Sequence, residues 1–335
     1  MHSLPLQSIA RALVAPGKGI LAADESFPTI EKRFKALDLP STEENRRAYR
    51  ETLFTTPGLG EFISGAILFD ETLRQRSHDS IPFPTVLEQQ GILPGIKVDL
   101  GVIALANFPN EKITQGLDGL RERLKTYREL GARFTKWRVV LTIGAGRPSR
   151  TCIEANARRL AQFAALSQEA GLVPIVEPEI LMTGDHPLER TEEVTNATLH
   201  AVFAALFDQR VQLEAMLLKP AMVLPGIDCP QPASDEEIAT CTVRCLRRAV
   251  PAAVPGIVFL SGGQSPEQAT QRLAAINHAG EVPWALTFSF GRALQDPVLN
   301  AWKGNPANVP AAQAALLDRA RQNSAALHTA PAWAP

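Results

Sequence analysis

The sequence predicts an α/β fold, a single-domain (β/α)8 TIM barrel followed by a short C-terminal tail. Eight short apolar runs recur along the 335 residues, and each ends in a polar or charged residue. The segments between them open with helix-start signals. Successive run ends lie roughly 40 residues apart, a workable repeat for strand–helix units with some long loops.

The runs occupy residues 19–24, 64–70, 95–99, 134–138, 172–177, 213–219, 257–261 and 285–289. Most are nearly continuous in hydrophobicity, as strands of a parallel sheet covered on both faces must be. Between them, Ser41-Thr42-Glu43-Glu44, Ser234-Asp235-Glu236-Glu237 and Ser265-Pro266-Glu267-Gln268 each fit the capping box, the last with proline at the first helical position. Arg121, Glu122, Arg123, Lys125, Arg128 and Glu129 mark one solvated helix face, and Arg158, Arg159 and Gln162 another. Nothing inside the chain resembles a linker, so residues 1–327 read as one barrel domain and 328–335 as a flexible tail.

Composition narrows the function. Hydrophobic residues make up 45% and charged residues 21%, ordinary for a protein with a large core. A net charge of −1 supplies no global attraction to nucleic acid or anionic lipid, so any anion must be held by local Lys and Arg. The four cysteines (Cys152, Cys229, Cys241, Cys245) are too irregularly spaced for a disulfide framework and read as reduced thiols. Arg11 interrupts the N-terminal apolar stretch, and no segment approaches the roughly 18 apolar residues of a membrane span. A soluble, cytoplasmic protein without a membrane partner is expected. The six histidines show no ligand spacing, and neither a dinucleotide fingerprint nor a P-loop is present, so no metal or cofactor is expected.

Barrel enzymes carry their reacting groups at the C-terminal ends of strands, where residues two apart face the same side. Those ends supply Asp24, Lys97 with Asp99, Lys136 with Arg138, Glu177 with Glu179, Lys219, Ser261 and Ser289. Three charged pairs converging on one mouth are expensive to bury unless they serve a purpose. Singly, Asp24 also fits a helix cap, and Glu177 and Glu179 also fit structural ion pairs with Lys136 or Arg138. Lys219 closes the run Ala215-Met216-Leu217-Leu218 and precedes Pro220, with no acidic neighbour in sequence. Burying an amine favours its neutral form, which attacks carbonyls. Asp70 ends a run without a visible partner and reads as structural.

Two glycine-bearing loops, Ser261-Gly262-Gly263-Gln264-Ser265 and Ser289-Phe290-Gly291-Arg292, follow the seventh and eighth runs. Barrels hold phosphate there through backbone N–H groups and a helix N-terminus, and Arg292 adds a bidentate donor. Ser26, Arg33 and Lys97 suit a second phosphate across the mouth.

With these residues in place, the chain resembles the class I fructose-bisphosphate aldolases over residues 1–325. The matching segments are 19–26, 42–49, 95–99, 115–120, Lys136-Trp137-Arg138, 173–180, Leu217-Leu218-Lys219-Pro220, 259–265 and 284–295. The resemblance implies Lys219 as Schiff-base lysine, Glu177 as main general acid/base and Asp24 as the carboxylate beside the cleaved bond. It implies Lys136 as the lysine that keeps the nucleophile's surroundings cationic, with Arg138 and Glu179 nearby. Ser261, Gly262, Gly291 and Arg292 then match the C1-phosphate site, and Ser26, Arg33 and Lys97 the C6-phosphate site. The family is similar in being metal-independent, free of cofactors, cytoplasmic and tetrameric. Its members cleave a phosphorylated ketose, fructose 1,6-bisphosphate, reversibly into dihydroxyacetone phosphate and glyceraldehyde 3-phosphate, in glycolysis and gluconeogenesis.

Alternatives are another Schiff-base sugar-phosphate aldolase, a transaldolase-like enzyme, or a scaffold barrel without turnover. Departures from the family pattern are Phe27-Pro28 where small residues are usual, Leu100 for lysine, Ala221 for asparagine and Phe290 for tyrosine. Phe27-Pro28 stiffens the loop expected to meet the C6 phosphate, which leaves open the preference between the bisphosphate and fructose 1-phosphate. Animal members end in a tyrosine that assists proton exchange. Here the last residue is Pro335 and the only tyrosines are Tyr49 and Tyr127, which implies slower turnover with Schiff-base formation intact.

Overall fold

A computed structural model describes residues 5–328 of the chain. Of the expected tail, 328–335, all but His328 lies outside the described residues. The strands, in chain order, are β1 (Gly19–Ala23), β2 (Ile63–Leu68), β3 (Leu93–Lys97), β4 (Val102–Ala104) and β5 (Lys112–Thr114), then β6 (Phe134–Leu141), β7 (Val173–Ile180), β8 (Leu217–Leu218), β9 (Gly256–Phe259) and β10 (Ala285–Phe290). Eight of them close into a parallel barrel in the order β1-β2-β3-β6-β7-β8-β9-β10, with β10 returning to β1. The predicted fold class is therefore the observed one. β4 and β5 form a separate antiparallel hairpin that the apolar runs did not reveal, because its β4 strand is exposed throughout. No helix among the described residues is long and apolar enough to cross a membrane.

Strand ends differ from expectation in ways that matter. β6 and β7 pair continuously from Phe134↔Val173 to Leu141↔Ile180, so Arg138, Glu177 and Glu179 lie inside the ladder rather than at its end. The run 213–219 yields only a two-residue strand, since a 3₁₀ turn takes Leu213–Ala215. The ladder still reaches Lys219, whose backbone N–H donates to the Val176 carbonyl at 2.8 Å. Pro220 lacks an N–H and ends it. Helix starts follow the sequence with one correction. Ser234 and Ser265 close capping boxes, but the third helix is capped by Thr42, which accepts from the Asn45 N–H at 3.1 Å. With Thr42 as cap, the third helical position holds asparagine and no box forms with Glu44. Asp70 is also corrected: it opens the helix Asp70–Arg74 and pairs with Arg74 at 3.0 Å.

The barrel interior is apolar at its base. Ile20, Ile67, Phe134, Val173, Ile175, Leu217 and Val258 pack against Ile9, Ala10 and Leu13 of the N-terminal helix Leu6–Leu13. Ser64 fastens that plug by donating to the carbonyl of Leu13 at 2.5 Å. One ring fills much of the space. A Cβ on Gly95 would stand 2.3 Å from the Phe134 ring, and one on Gly65 would stand 3.1 Å from it. Outside the barrel, Trp137 stacks on Phe163 of the helix Arg150–Glu169 with centroids 5.6 Å apart.

Overpacking by one methyl in such a core costs about 1–3 kcal/mol. Gly95→Ala is expected to lower stability by about that amount in urea unfolding. An unchanged midpoint would mean that the Phe134 ring is not the rigid plug described.

Candidate active site

Four charged side chains meet above the apolar plug. Lys136 comes from β6, Glu177 from β7, Lys219 from the residue after β8, and Asp24 from the residue after β1. Lys136 Nζ lies 2.6 Å from Asp24 Oδ2 and 3.3 Å from Glu177 Oε2, while Lys219 Nζ lies 3.2 Å from Glu177 Oε1. The charges alternate along one line: Lys219, Glu177, Lys136, Asp24. The lack of an acidic neighbour for Lys219 in the sequence is corrected here, because strand pairing brings Glu177 from 42 positions away. The side chains of Lys136, Glu177 and Lys219 are each only 4% exposed, so mutual attraction must replace lost hydration.

That attraction decides the charge states. Burial pushes the Asp24 carboxyl up, but Lys136, Lys219 and Lys97 outweigh it and hold the group at about 2. Burial likewise opposes ionisation of Glu177, and Lys136, Lys219 and Arg138 together hold it below the usual carboxylate range. For Lys136, burial disfavours the ammonium, but Asp24, Glu177 and Asp99 overcome it and raise the affinity for the proton well above ordinary. At rest both carboxylates are ionised and Lys136 is a cation.

The remaining expected residues fall into two groups. At the β9–β10 side, Ser261 is buried and Gly262 adopts φ +56, a left-handed conformation suited to glycine. The Arg292 guanidinium donates to the Gly262 carbonyl, joining the two loops, and Gly291 leads directly into the helix Arg292–Trp302. The first N–H groups of a helix have no partner within the helix, and no side chain caps this one. The other group follows β1 and β3, and Arg33 reaches back to the helix that follows β10. Ser26 is the N-cap of the helix Phe27–Lys35, its hydroxyl 3.2 Å from that of Thr29. Arg33 pairs with Glu25 and, at 2.7 Å, with Asp296. Lys97 pairs with Asp99 at 2.7 Å, and Asp99 also accepts from the backbone N–H of Arg138 at 3.2 Å. Arg138 pairs with Glu179.

Three residues that the sequence did not single out sit beside this cluster. Glu25 receives Arg33, Arg50 at 2.6 Å and the amide of Gln295 at 2.8 Å. Glu25 had a signal, being acidic and adjacent to Asp24. Arg50 directly follows the matching segment 42–49 and Gln295 closes the segment 284–295, but both lie in helices rather than at strand ends. Phe27 stands half-exposed at the rim, with Phe69 edge-on at 5.1 Å and the Arg46 guanidinium 4.8 Å over its ring.

A carboxylate whose folded pKa is depressed stabilises the fold above its unfolded pKa, near 3.9 for Asp, and loses that contribution as pH falls through the folded value. For Asp24 the window runs from about pH 4 down to about pH 2. Unfolding stability of the wild type is expected to fall more steeply across it than that of Asp24→Asn. Parallel curves would refute the electrostatic assignment.

Comparison with known proteins gives one answer. The profile of the family "Fructose-bisphosphate aldolase class-I" matches residues 5–330. A probable fructose-bisphosphate aldolase class 1 of Xanthomonas campestris pv. campestris is 55% identical over 322 residues, covering 96% of each chain. The fructose-bisphosphate aldolase of Dictyostelium discoideum is 55% identical over 324 residues, covering 96% of this chain and 91% of the other. The crystallised aldolase of Plasmodium falciparum superposes with a TM-score of 0.95 at 52% identity, covering 96% of this chain and 93% of that one. With a closed barrel, a charged mouth and full-length similarity all in agreement, the chain belongs to the class I fructose-bisphosphate aldolase family.

Proposed function

We propose that this mouth cleaves fructose 1,6-bisphosphate between C3 and C4 through a Schiff base on Lys219, and joins dihydroxyacetone phosphate to glyceraldehyde 3-phosphate in reverse. The observation that carries it is the alternating line Lys219, Glu177, Lys136, Asp24 at the mouth of a closed barrel.

Lys219 must present a neutral amine to attack the C2 ketone. Glu177 Oε1, at 3.2 Å, is positioned to take the proton, leaving an amine beside a carboxylic acid with no change in net charge. Proton exchange inside a buried ion pair avoids exporting charge to water. After attack, one proton of the new C–N ammonium passes to the C2 oxygen to form the hydroxyl; Glu177 returns its proton to that hydroxyl, water leaves and an iminium forms. The iminium withdraws electrons as the C3–C4 bond breaks, while Asp24 takes the C4 hydroxyl proton and the aldehyde product leaves. Lys136 keeps Asp24 ionised until that transfer, ready to accept. The proton Asp24 gains is given back as the enamine is protonated at C3, and hydrolysis of the iminium releases dihydroxyacetone phosphate and restores Lys219.

The C1 phosphate fits the loops of Ser261, Gly262, Gly291 and Arg292. The C6 phosphate fits Ser26, Arg33 and Lys97, where it competes with Asp296 and Asp99 for the two cations. Arg138 and Glu179 brace the line from the adjacent turn of the ladder. A homotetramer is supported by apolar area that a lone subunit leaves exposed at Leu100, Val102, Ile103 and Phe207. The free thiols of Cys152, Cys229, Cys241 and Cys245 support a cytoplasmic setting in which glycolysis runs.

Borohydride added with dihydroxyacetone phosphate, followed by peptide mapping, is expected to mark Lys219. An adduct on Lys97 or Lys136, or none, overturns the mechanism. Lys219→Met should lose labelling and lower cleavage by at least about 10³-fold, the scale of removing a covalent nucleophile.

A further inference from the structure

We propose that Gln295 is a positioning residue for Asp24: its buried amide grips the chain on both sides of that carboxylate and holds it against Lys136 and the reacting C4 hydroxyl. The inference rests on the role given to Asp24 above.

Asp24 lies just past β1, whose pairing with β2 ends at Ala23↔Leu68. The ladder therefore does not hold Asp24 in place, and an accurate base needs some other restraint. Gln295, fully buried in the helix Arg292–Trp302, supplies it. Its Nε2 donates to the Ala22 carbonyl at 2.6 Å and to Glu25 Oε1 at 2.8 Å. Ala22 and Glu25 flank the Ala23–Asp24 pair, so one amide clamps the segment from both ends. The amide's own orientation is fixed, because Oε1 accepts from the Tyr49 hydroxyl at 2.9 Å. Both donor hydrogens of the side chain are used, and its carbonyl oxygen has one partner.

A second tie runs alongside. Asp296, the next residue in that helix, pairs with Arg33 at 2.7 Å, and Arg33 also pairs with Glu25. Arg50, itself 2% exposed, anchors the far oxygen of Glu25 at 2.6 Å. Helix, strand end and the segment 25–33 thus form one bracket around Asp24. Only an amide satisfies this place. Glutamate would set a second carboxylate beside Glu25, and leucine would leave the Ala22 carbonyl and Tyr49 hydroxyl unpaired inside the protein.

The test separates positioning from mere structural support. Schiff-base formation with dihydroxyacetone phosphate uses Lys219 and Glu177 but not Asp24, whereas cleavage uses all three. Full-length Gln295→Leu is expected to lower kcat for fructose 1,6-bisphosphate by about 10–100-fold, the scale of a misplacement near 1 Å. KM should stay within about threefold, and borohydride labelling of Lys219 should match wild type. Tyr49→Phe, which removes only the proton donated to Gln295, should reduce kcat several-fold with labelling intact, and it decides the matter alone if Gln295→Leu does not fold. Unchanged kcat in folded variants overturns the proposal. So does a rise in KM at constant kcat, which would assign Gln295 to the Gly291–Arg292 loop, or a parallel loss of cleavage and labelling, which would mean general damage. Absence of label in the wild type would instead sink the Schiff-base mechanism, so the two failures are distinguishable.

Discussion

Everything at the mouth depends on alternating charge held out of water. Lys219, Glu177, Lys136 and Asp24 stand within 3.3 Å of one another in sequence along the line. Breaking such a buried pair by deleting one partner typically costs about 3–5 kcal/mol, because the survivor is left without compensation. The barrel makes the line affordable. Its strands deliver the cations and anions from different parts of the chain, at heights set by the register Lys136↔Ile175 and Arg138↔Glu177. Alternation along each strand turns Lys136 and Glu177 inward while Trp137 and Val176 pack outward among the helices. No local segment could do this, since adjacent residues on a strand face opposite sides.

The apolar base and the charged mouth are two halves of one device. Phe134, Leu13 and their neighbours exclude water from below, and that exclusion strengthens the interactions above. Burial alone would push Asp24 up and Lys136 down; each is reversed because it sees opposite charges through protein rather than water. Stability residues at the bottom and reacting groups at the top is the division this architecture permits. Here Ser64 and Gly95 belong to the first class, although both lie on barrel strands that lead up to the mouth.

Particular residues show what the sequence could and could not disclose. Strand positions were legible because buried parallel strands are apolar throughout and end in charge, as at Ala23-Asp24 and Leu218-Lys219. The convergence of Asp24, Lys136, Glu177 and Lys219 followed from the barrel rule and was found as expected. Pairing was legible only in part: Lys97 lies two residues from Asp99, and Glu177 and Glu179 fitted pairs with Lys136 and Arg138, as found. Which carboxylate meets Lys219, or that Arg33 turns to Asp296, depends on register and rotamer, which carry no local signature. The bracket of Tyr49, Glu25 and Gln295 was hidden for a related reason. Its hydrogen bonds span 246 and 270 positions, and a glutamine in a helix resembles any solvated polar residue until the neighbours are known. The exposed β4 strand escaped because it lacks the continuous burial that marked the others.

The two phosphate ends are built on different physics, and this bears on which substrates the mouth accepts under the proposed mechanism. At the β9–β10 end the groups are backbone N–H donors, a glycine at φ +56, and Arg292, whose present partner is a neutral carbonyl. An anion arriving there displaces a weak partner and meets donors already in place, which is the economical way to bind phosphate. In the second group Arg33 and Lys97 each sit in a carboxylate pair. A phosphate must share those cations with Asp296 and Asp99, so much of its attraction is cancelled by the pairs it weakens. Under the proposed function the first end is the one that anchors the ketose, while the second adds less. Phe27, held by Phe69 and Arg46, limits how far the segment from Ser26 can move to improve the contact. Under the proposed function, a mouth so built gains most of its affinity from the C1 phosphate and discriminates only modestly against a ketose that lacks the other.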